Sequence, residues 1–246
     1  MKMHVISSGS KGNASIIYDE TTTILIDMGI TLKRLEEGLN EVDKDIDDID
    51  FCLFTHDHSD HIKGVNYLNK NLCFSRKGTI NLLEKHDLEI FHEYLFGDIN
   101  VIPLPTSHDA IAPCGFLFKK DGEKIAYLTD SGYIPDSTLE FLHNCDYYFI
   151  ESNYDEKMLF DSSRPMFLKE RIAGDMGHLS NEQSAEYMCE LIGEKTKTIM
   201  LAHLSEECNS PDVALKTYKE VFEKEKVSLN HVKCICAKQW SSSDLC

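Results

Sequence analysis

The sequence predicts a layered α/β protein, and three observations carry that prediction. Short apolar runs separated by glycines open the chain, helical patterns with capping signals alternate with further apolar runs, and polar residues gather where those runs stop. With 42% apolar and 27% charged residues the chain can bury a core and lies outside the compositions of disordered proteins. A length of 246 residues, without a long linker or internal repeat, is read as one domain spanning 1–246.

In chain order, HVISSGS, NASIIYD and TTILIDMG read as successive strands broken at Gly9, Gly12 and Gly29. TLKRLEEGLNEVD has helical spacing and DFCLF reads as a buried strand, while IKGVNYLNKN and TINLLEKH read as helical. INVIPLPTSH and CGFLFKKDGEKIAYLTD return to strands, the second folded into a hairpin at KDGEK, and DYYFIES is another apolar strand. LSNEQSAEYMCELIGEK reads as a helix opened by a capping box from Ser180 to Gln183, TIMLAHLS as the strand after it, and DVALKTYKEVFEKEK as the last amphipathic helix. SSRPMFLKERIAGD has no clear period and reads as irregular. Its Arg164, Lys169 and Arg171 either line a substrate path or, the reading preferred here, are solvated.

Forty-two acidic against 25 basic residues give a formal charge of −17, which disfavours non-specific contact with nucleic acid or anionic lipid. A polyanionic substrate stays open, because bound divalent cations reverse a local field. Nine cysteines and a start, MKMHVISSGSKG, that lacks a signal peptide's apolar core point to reduced thiols and a cytoplasmic location. Cys234 and Cys236 alternate with Ile235 as one face of a strand, with no partner ligands at metal-binding spacing. No apolar run approaches the roughly 18 residues of a membrane span, so no membrane partner is expected.

The densest chemistry lies in FTHDHSDHIKG, where His56, Asp57, His58, Asp60 and His61 follow a buried strand directly. Imidazole and carboxylate are the donors expected for zinc, iron or manganese. Too few donors sit here for two ions, and other strand ends offer more: His108 closes LPTSH, Asp130 closes IAYLTD and His203 closes IMLAH.

As an ordered set, HxHxDH followed by a strand-end histidine, the aspartate of TDSG and a final strand-end histidine resembles the metallo-β-lactamase superfamily, with LIDMG matching its early aspartate motif. The resemblance implies an αββα sandwich with two divalent ions at one sheet edge, zinc or manganese and also iron. His56, His58 and His108 would bind one ion, Asp60, His61 and His203 the other, with Asp130 bridging and Asp27 orienting a ligand from behind. Asp57 is read as solvated.

GDMGHLSNEQSAEYMCELIGEKTKTIMLAHLS resembles the phosphodiesterase branches such as RNase Z, placing His178 as the histidine before a helix and Glu151 as its acidic partner. Residues 109–129 hold one hairpin, without RNase Z's tRNA-binding arm, and residues 131–202 leave no room for a β-CASP insertion. SSGSKGNASIIY, ESNYDEKML, GHLSNEQSA and LAHLSEECN are similar in order to segments of the small bacterial YycJ (WalJ, VicX) family, with Tyr154 and Cys208 departing from its usual histidine and asparagine. That likeness implies a metal-dependent 5′-to-3′ exonuclease acting on DNA in preference to RNA. A hydroxide shared by the two ions would attack phosphorus, Asp60 would hold it, and His178 near Glu151 would serve the leaving oxygen. The glycines of SGSKGN, with Lys11, would either approach a phosphate or form an ordinary turn. The alternatives are another hydrolase of the fold, acting on a cyclic phosphodiester, thioester or lactone, or a non-enzymatic metal-binding protein.

Overall fold

Successive side chains of a strand point to opposite faces, and in this chain both faces are apolar, so each strand divides its residues between two cores. The computed structural model describes residues 1–80 and 86–246. The first sheet is formed by β1 (Lys2–Ser7), β2 (Ala14–Tyr18), β3 (Thr23–Ile26), β4 (Phe51–Phe54) and β5 (Cys73–Ser75), in that order across the sheet, with β13 (Ser243–Asp244) outside β1. The second runs β6 (Tyr94–Phe96), β7 (Ile99–Pro105), β8 (Cys114–Lys120), β9 (Glu123–Leu128), β10 (Tyr147–Glu151), β11 (Thr198–Ala202) and β12 (Lys233–Cys236) from one edge to the other. The helices are α1 (Leu32–Asn40), α2 (Ser59–Ile62), α3 (Asp136–Leu142), α4 (Glu156–Asp161), α5 (Met166–Ala173), α6 (Asn181–Leu191) and α7 (Pro211–Lys224).

The alternation assigns the layers. Val5, Ile17, Ile24 and Ile26 of the first sheet meet Phe116, Phe118, Tyr127, Phe149 and Met200 of the second in a core between the sheets. The intervening Ile6, Ile16 and Leu25 pack outward with Leu35 and Leu39 of α1. Leu117, Ala126, Tyr148, Ile150 and Leu201 pack outward with residues of α3, α6 and α7. The result is a helix–sheet–sheet–helix sandwich, the expected αββα architecture. Cys234 and Cys236 share the face turned to the helical layer and Ile235 the opposite one, as their alternation predicts.

Two readings change, and a third falls largely outside the described residues. IKGVNYLNKN is not one helix: α2 stops at Ile62, and short 3-10 turns follow at Val65–Tyr67 and Lys70–Leu72. The break is at Gly64, whose N–H donates to Met28 O at 2.7 Å and where a Cβ would lie 2.7 Å from Ile30 O. TINLLEKH, read as helical, spans residues 79–86, of which 81–85 lie outside the described residues. SSRPMFLKERIAGD, read as irregular, contains α5, whose first turn bonds to the Pro165 carbonyl. Its period is hidden because Met166 and Phe167 put apolar side chains on the outward face.

Candidate metal centre

Six strand ends meet at one edge of the sandwich, and the backbone aims the donors there. Asp27 after β3, Asp130 after β9 and His203 after β11 all have left-handed φ, at 59°, 57° and 55°. Asp and His enter this region more readily than bulkier residues, and each ends its strand with its side chain in the shared cluster: Asp27 on His61, Asp130 beside His61 and His203. His203 N is held by Ser8 Oγ at 2.9 Å. α2 carries Asp60 and His61 on a single turn, and Gly29 makes room beneath it, since a Cβ there would overlap the Asp60 carbonyl.

Donor atoms converge in overlapping groups. One atom each from His56, His58 and His108 lie within 4.8 Å of one another, as do atoms of Asp60, His61 and His203, of His56, His61 and Asp130, and of Asp130, Glu151, His178 and His203. All seven expected ligands are therefore brought together, with Asp130 beside both histidine groups and Glu151 and His178 adjoining. His56 Nε2, Asp130 Oδ2 and His203 Nε2 are buried without a hydrogen-bond partner among the described residues. Buried polar atoms are rarely left unpaired in a native protein, and three of them within this cluster of donors suit a cation-binding cage.

The surrounding groups select which ring nitrogen each histidine presents, because carbonyl and carboxylate oxygens only accept. His61 Nδ1–H donates to Asp27 Oδ2 at 2.8 Å. His108 Nδ1–H donates to Gly177 O at 3.0 Å, and His203 Nδ1–H donates to Glu151 Oε1 at 3.1 Å. Thr55 gives its hydroxyl proton to Asp27, so it accepts from His56 Nδ1–H at 3.0 Å. These four rings turn Nε2 inward. His58 is reversed: its Nε2–H donates to Asp109 O at 3.3 Å, leaving Nδ1 facing His108 Nε2 at 3.2 Å. Each ring is oriented by a partner behind it, as metal-binding histidines generally are.

Charge follows the same layout. Burial works against a proton on His61, yet the Asp27 and Asp130 carboxylates overcome it and raise its pKa to about 10. Burial likewise opposes the charge of His203, which Asp130, Asp60 and Glu151 push well above the usual histidine range. Asp130 and Glu151 are opposed by burial too, but facing histidines hold Asp130 well below the normal carboxylate range and bring Glu151 down to about 2. His56 and His108 move the other way, lowered chiefly by burial. A cluster in which carboxylates draw protons onto buried histidines is one in which a divalent cation would take the protons' place.

Glu151 is the hub behind the cage. Its Oε1 accepts from His178 Nδ1 at 2.8 Å as well as from His203, and Oε2 accepts from Ser131 N at 2.9 Å and Leu179 N at 3.2 Å. His178, one-fifth exposed at its side chain, lines a cavity of about 240 Å³ together with Asp60, His108, Asp130 and His203.

Several side chains sit elsewhere than expected. Arg164 and Arg171 line this cavity, so they are not merely solvated. Lys169 is buried, and its Nζ donates to Phe160 O at 2.6 Å and Ser162 O at 2.7 Å, tying the end of α4 to α5. Asp57 accepts from Ile111 N at 2.9 Å and so pins a loop where a solvated side chain was expected. Of the SGSKGN loop, Ser10 lines the cavity while Lys11 is exposed. Tyr154 and Cys208, the two departures from the resemblance, are buried in one small cluster with Leu159 and Ile172. Together these residues form a continuous apolar base under α4 and α5. Sequence reading missed Thr55, Asp109 and Asn153, although each stands within two residues of a singled-out position. Asn153 Nδ2 donates to His203 O at 2.7 Å.

The comparisons with known proteins agree with this geometry. A family profile described as Beta-lactamase superfamily domain matches residues 22–203, the interval that holds Asp27 through His203. Exodeoxyribonuclease WalJ of Streptococcus pneumoniae serotype 2 (strain D39 / NCTC 7466) is 37% identical over 231 residues, covering 88% of this chain and 86% of that protein. Exodeoxyribonuclease YycJ of Bacillus anthracis is 33% identical over 232 residues, covering 89% and 88%. Among solved structures, the metallo-beta-lactamase fold protein YhfI from Bacillus subtilis matches with a TM-score of 0.72 at 17% identity, over 99% of this chain and 100% of that one. With its layered sandwich, its convergent strand ends and these similarities along most of its length, the chain belongs to the beta-lactamase superfamily, in its metallo-β-lactamase fold.

Proposed function

We propose that this protein is a metal-dependent DNA exonuclease, working from 5′ to 3′ with two divalent ions, zinc or manganese and also iron, in the cytoplasm. The observation that carries the reading is the His178–Glu151 pair, set beside the cage and opening onto the same cavity. The names of the relatives point to the same chemistry.

In this reading His56, His58 and His108 would hold one ion, Asp60, His61 and His203 would hold the other, and Asp130 would serve as a ligand to both. When bound, the ions supply Lewis acidity toward a phosphoryl oxygen and toward water. The residues of the chain do the rest. Asp60, with Oδ2 3.6 Å from His61 Nε2 and 3.7 Å from His203 Nε2, accepts a proton from the attacking water. Glu151 fixes the proton of His178 on Nδ1 and directs Nε2 to the cavity. As water adds to phosphorus and the bond to the leaving oxygen breaks, that oxygen takes a proton from His178. A base that serves only to orient a ring does not need a second ring on the same oxygen. Here Glu151 Oε1 couples proton donor and candidate ligand in one rigid unit.

The test is digestion of end-labelled single- and double-stranded DNA and RNA after metal removal and add-back of each ion, alongside a thioester and a lactone. DNA shortened from its 5′ end only with metal present, and abolished by His58→Ala, is the expected result. Turnover of the thioester or lactone with DNA left intact refutes the reading.

A further inference from the structure

We propose that Asn13 is a positioning residue for Asp60, and that the turn of SGSKGN is built to hold it. The inference rests on the nuclease reading above and deepens it by naming the group that sets the carboxylate which takes the proton from water.

The turn closes around the Asn13 side chain, which is 2% exposed. Gly9 N donates to Asn13 Oδ1 at 2.8 Å, while Gly9 O accepts from Asn13 Nδ2 at 3.1 Å. One residue thus touches both ends of the amide and fixes which end is which. Nδ2 also reaches Asp60 O and Asp60 Oδ2, each at 3.3 Å, and passes 3.0 Å from His61 Nε2. The backbone supplies the firmer anchor: Asn13 N donates to Asp60 O at 2.8 Å, and Asn13 O accepts from Gly29 N at 2.9 Å. Gly12 makes this approach possible, since its φ is 155° and a Cβ there would lie 2.5 Å from Gly29 O.

Asp60 depends on outside support. Its helix, α2, spans four residues, and a single helical turn has little stability of its own. Its side chain is 23% exposed and lines the cavity, so it has room to swing unless it is held. A carboxylate that receives a proton from water must keep one oxygen turned to the cavity. Asn13 engages Oδ2 and leaves the other oxygen for that task. An amide suits the role because it donates at every pH and adds no charge beside bound cations. The same bonds set Ser10, one residue beyond Gly9, in the cavity wall.

The experiment is a double-mutant cycle on the full chain, read by chelator competition for zinc. Asn13→Ala should weaken zinc binding roughly 10- to 100-fold, the usual cost of losing a group that orients a ligand. In an Asp60→Ala background the same change should cost less than about two-fold, because the residue it acts through is gone. Equal losses in the two backgrounds would make Asn13 a structural residue alone and overturn the proposal, as would wild-type affinity in Asn13→Ala. Gln239→Ala is the control for the turn itself: Gln239 Oε1 accepts from Lys11 N at 3.4 Å, away from Asp60. Its zinc affinity should stay within about two-fold of wild type, and a loss as large as that of Asn13→Ala would trace the effect to the turn and overturn the role given to the amide. Asn13→Asp keeps an acceptor for Gly9 N but has no donor for Asp60. Its kcat on DNA should fall roughly 10-fold or more with KM within about two-fold of wild type, and an unchanged kcat would overturn the proposal. A wild type that shows the zinc coupling yet digests no polynucleotide overturns the nuclease reading and supports the positioning of Asp60 by Asn13.

Discussion

Replacing Asp27 with asparagine removes one charge and one acceptor at a position with no solvent access. The carboxylate accepts three protons' worth of contacts: His61 Nδ1 at 2.8 Å, Thr55 N at 2.8 Å and Thr55 Oγ1 at 2.9 Å. An amide has one oxygen and one NH₂. If the oxygen stays with Thr55, the NH₂ donates to His61 Nδ1, the ring proton moves to Nε2, and the lone pair facing the cage is lost. If the amide turns over, two donors face each other at Thr55. Either arrangement mis-sets one buried hydrogen bond, about 1–3 kcal/mol, in line with the roughly 10- to 100-fold loss of metal affinity expected when a supporting partner is removed. Chelator-competition titration measures it. The metal-free protein gives an independent readout. His61 is raised to about 10, so its contribution to stability is complete below its unfolded pKa of about 6.5 and is lost as pH climbs through about 10. In Asp27→Asn that contribution shrinks and its loss begins at lower pH, which melting curves across this window resolve. Wild-type metal affinity together with an unchanged pH profile of melting would refute the role given to Asp27.

Two further outcomes follow from the same geometry. His178→Ala should keep wild-type metal content, measured by elemental analysis, while turnover falls by roughly 10²- to 10⁴-fold, the usual worth of a positioned acid; loss of metal would make His178 a ligand. Lys169→Met leaves Phe160 O and Ser162 O without their donor and should destabilise the protein by about 1–3 kcal/mol in denaturant unfolding; unchanged stability would mean that α4 and α5 are held by the apolar cluster alone.

What the sequence made legible was whatever depends on local order. Alternating apolar runs define strands, and because both faces of each sheet are covered, the runs are long enough to recognise. The capping box at Ser180 and Gln183 is present with both of its hydrogen bonds. The seven expected metal ligands come together because each sits at the end of an apolar run or in the short loop and helix that follow β4, and strand ends share an edge. What stayed hidden depends on contacts between distant segments. Nothing near Lys169 announces that its ammonium meets carbonyls seven and nine residues earlier. Gly64 breaks a helical pattern only because residues 28–30 press against it. Asp57 looks idle in its own loop, and its partner is Ile111. Tyr154 and Cys208 read as two unrelated departures until the fold sets them side by side.

The left-handed turns at Asp27, Asp130 and His203 bear on what organises the site. Such conformations cost on the order of 1–3 kcal/mol each for a residue other than glycine, and that cost is met when the chain folds, before any ion arrives. The aim of these donors is therefore set by the folded backbone, and a substitution that straightened one of the turns would move a donor off the cluster without changing its chemistry.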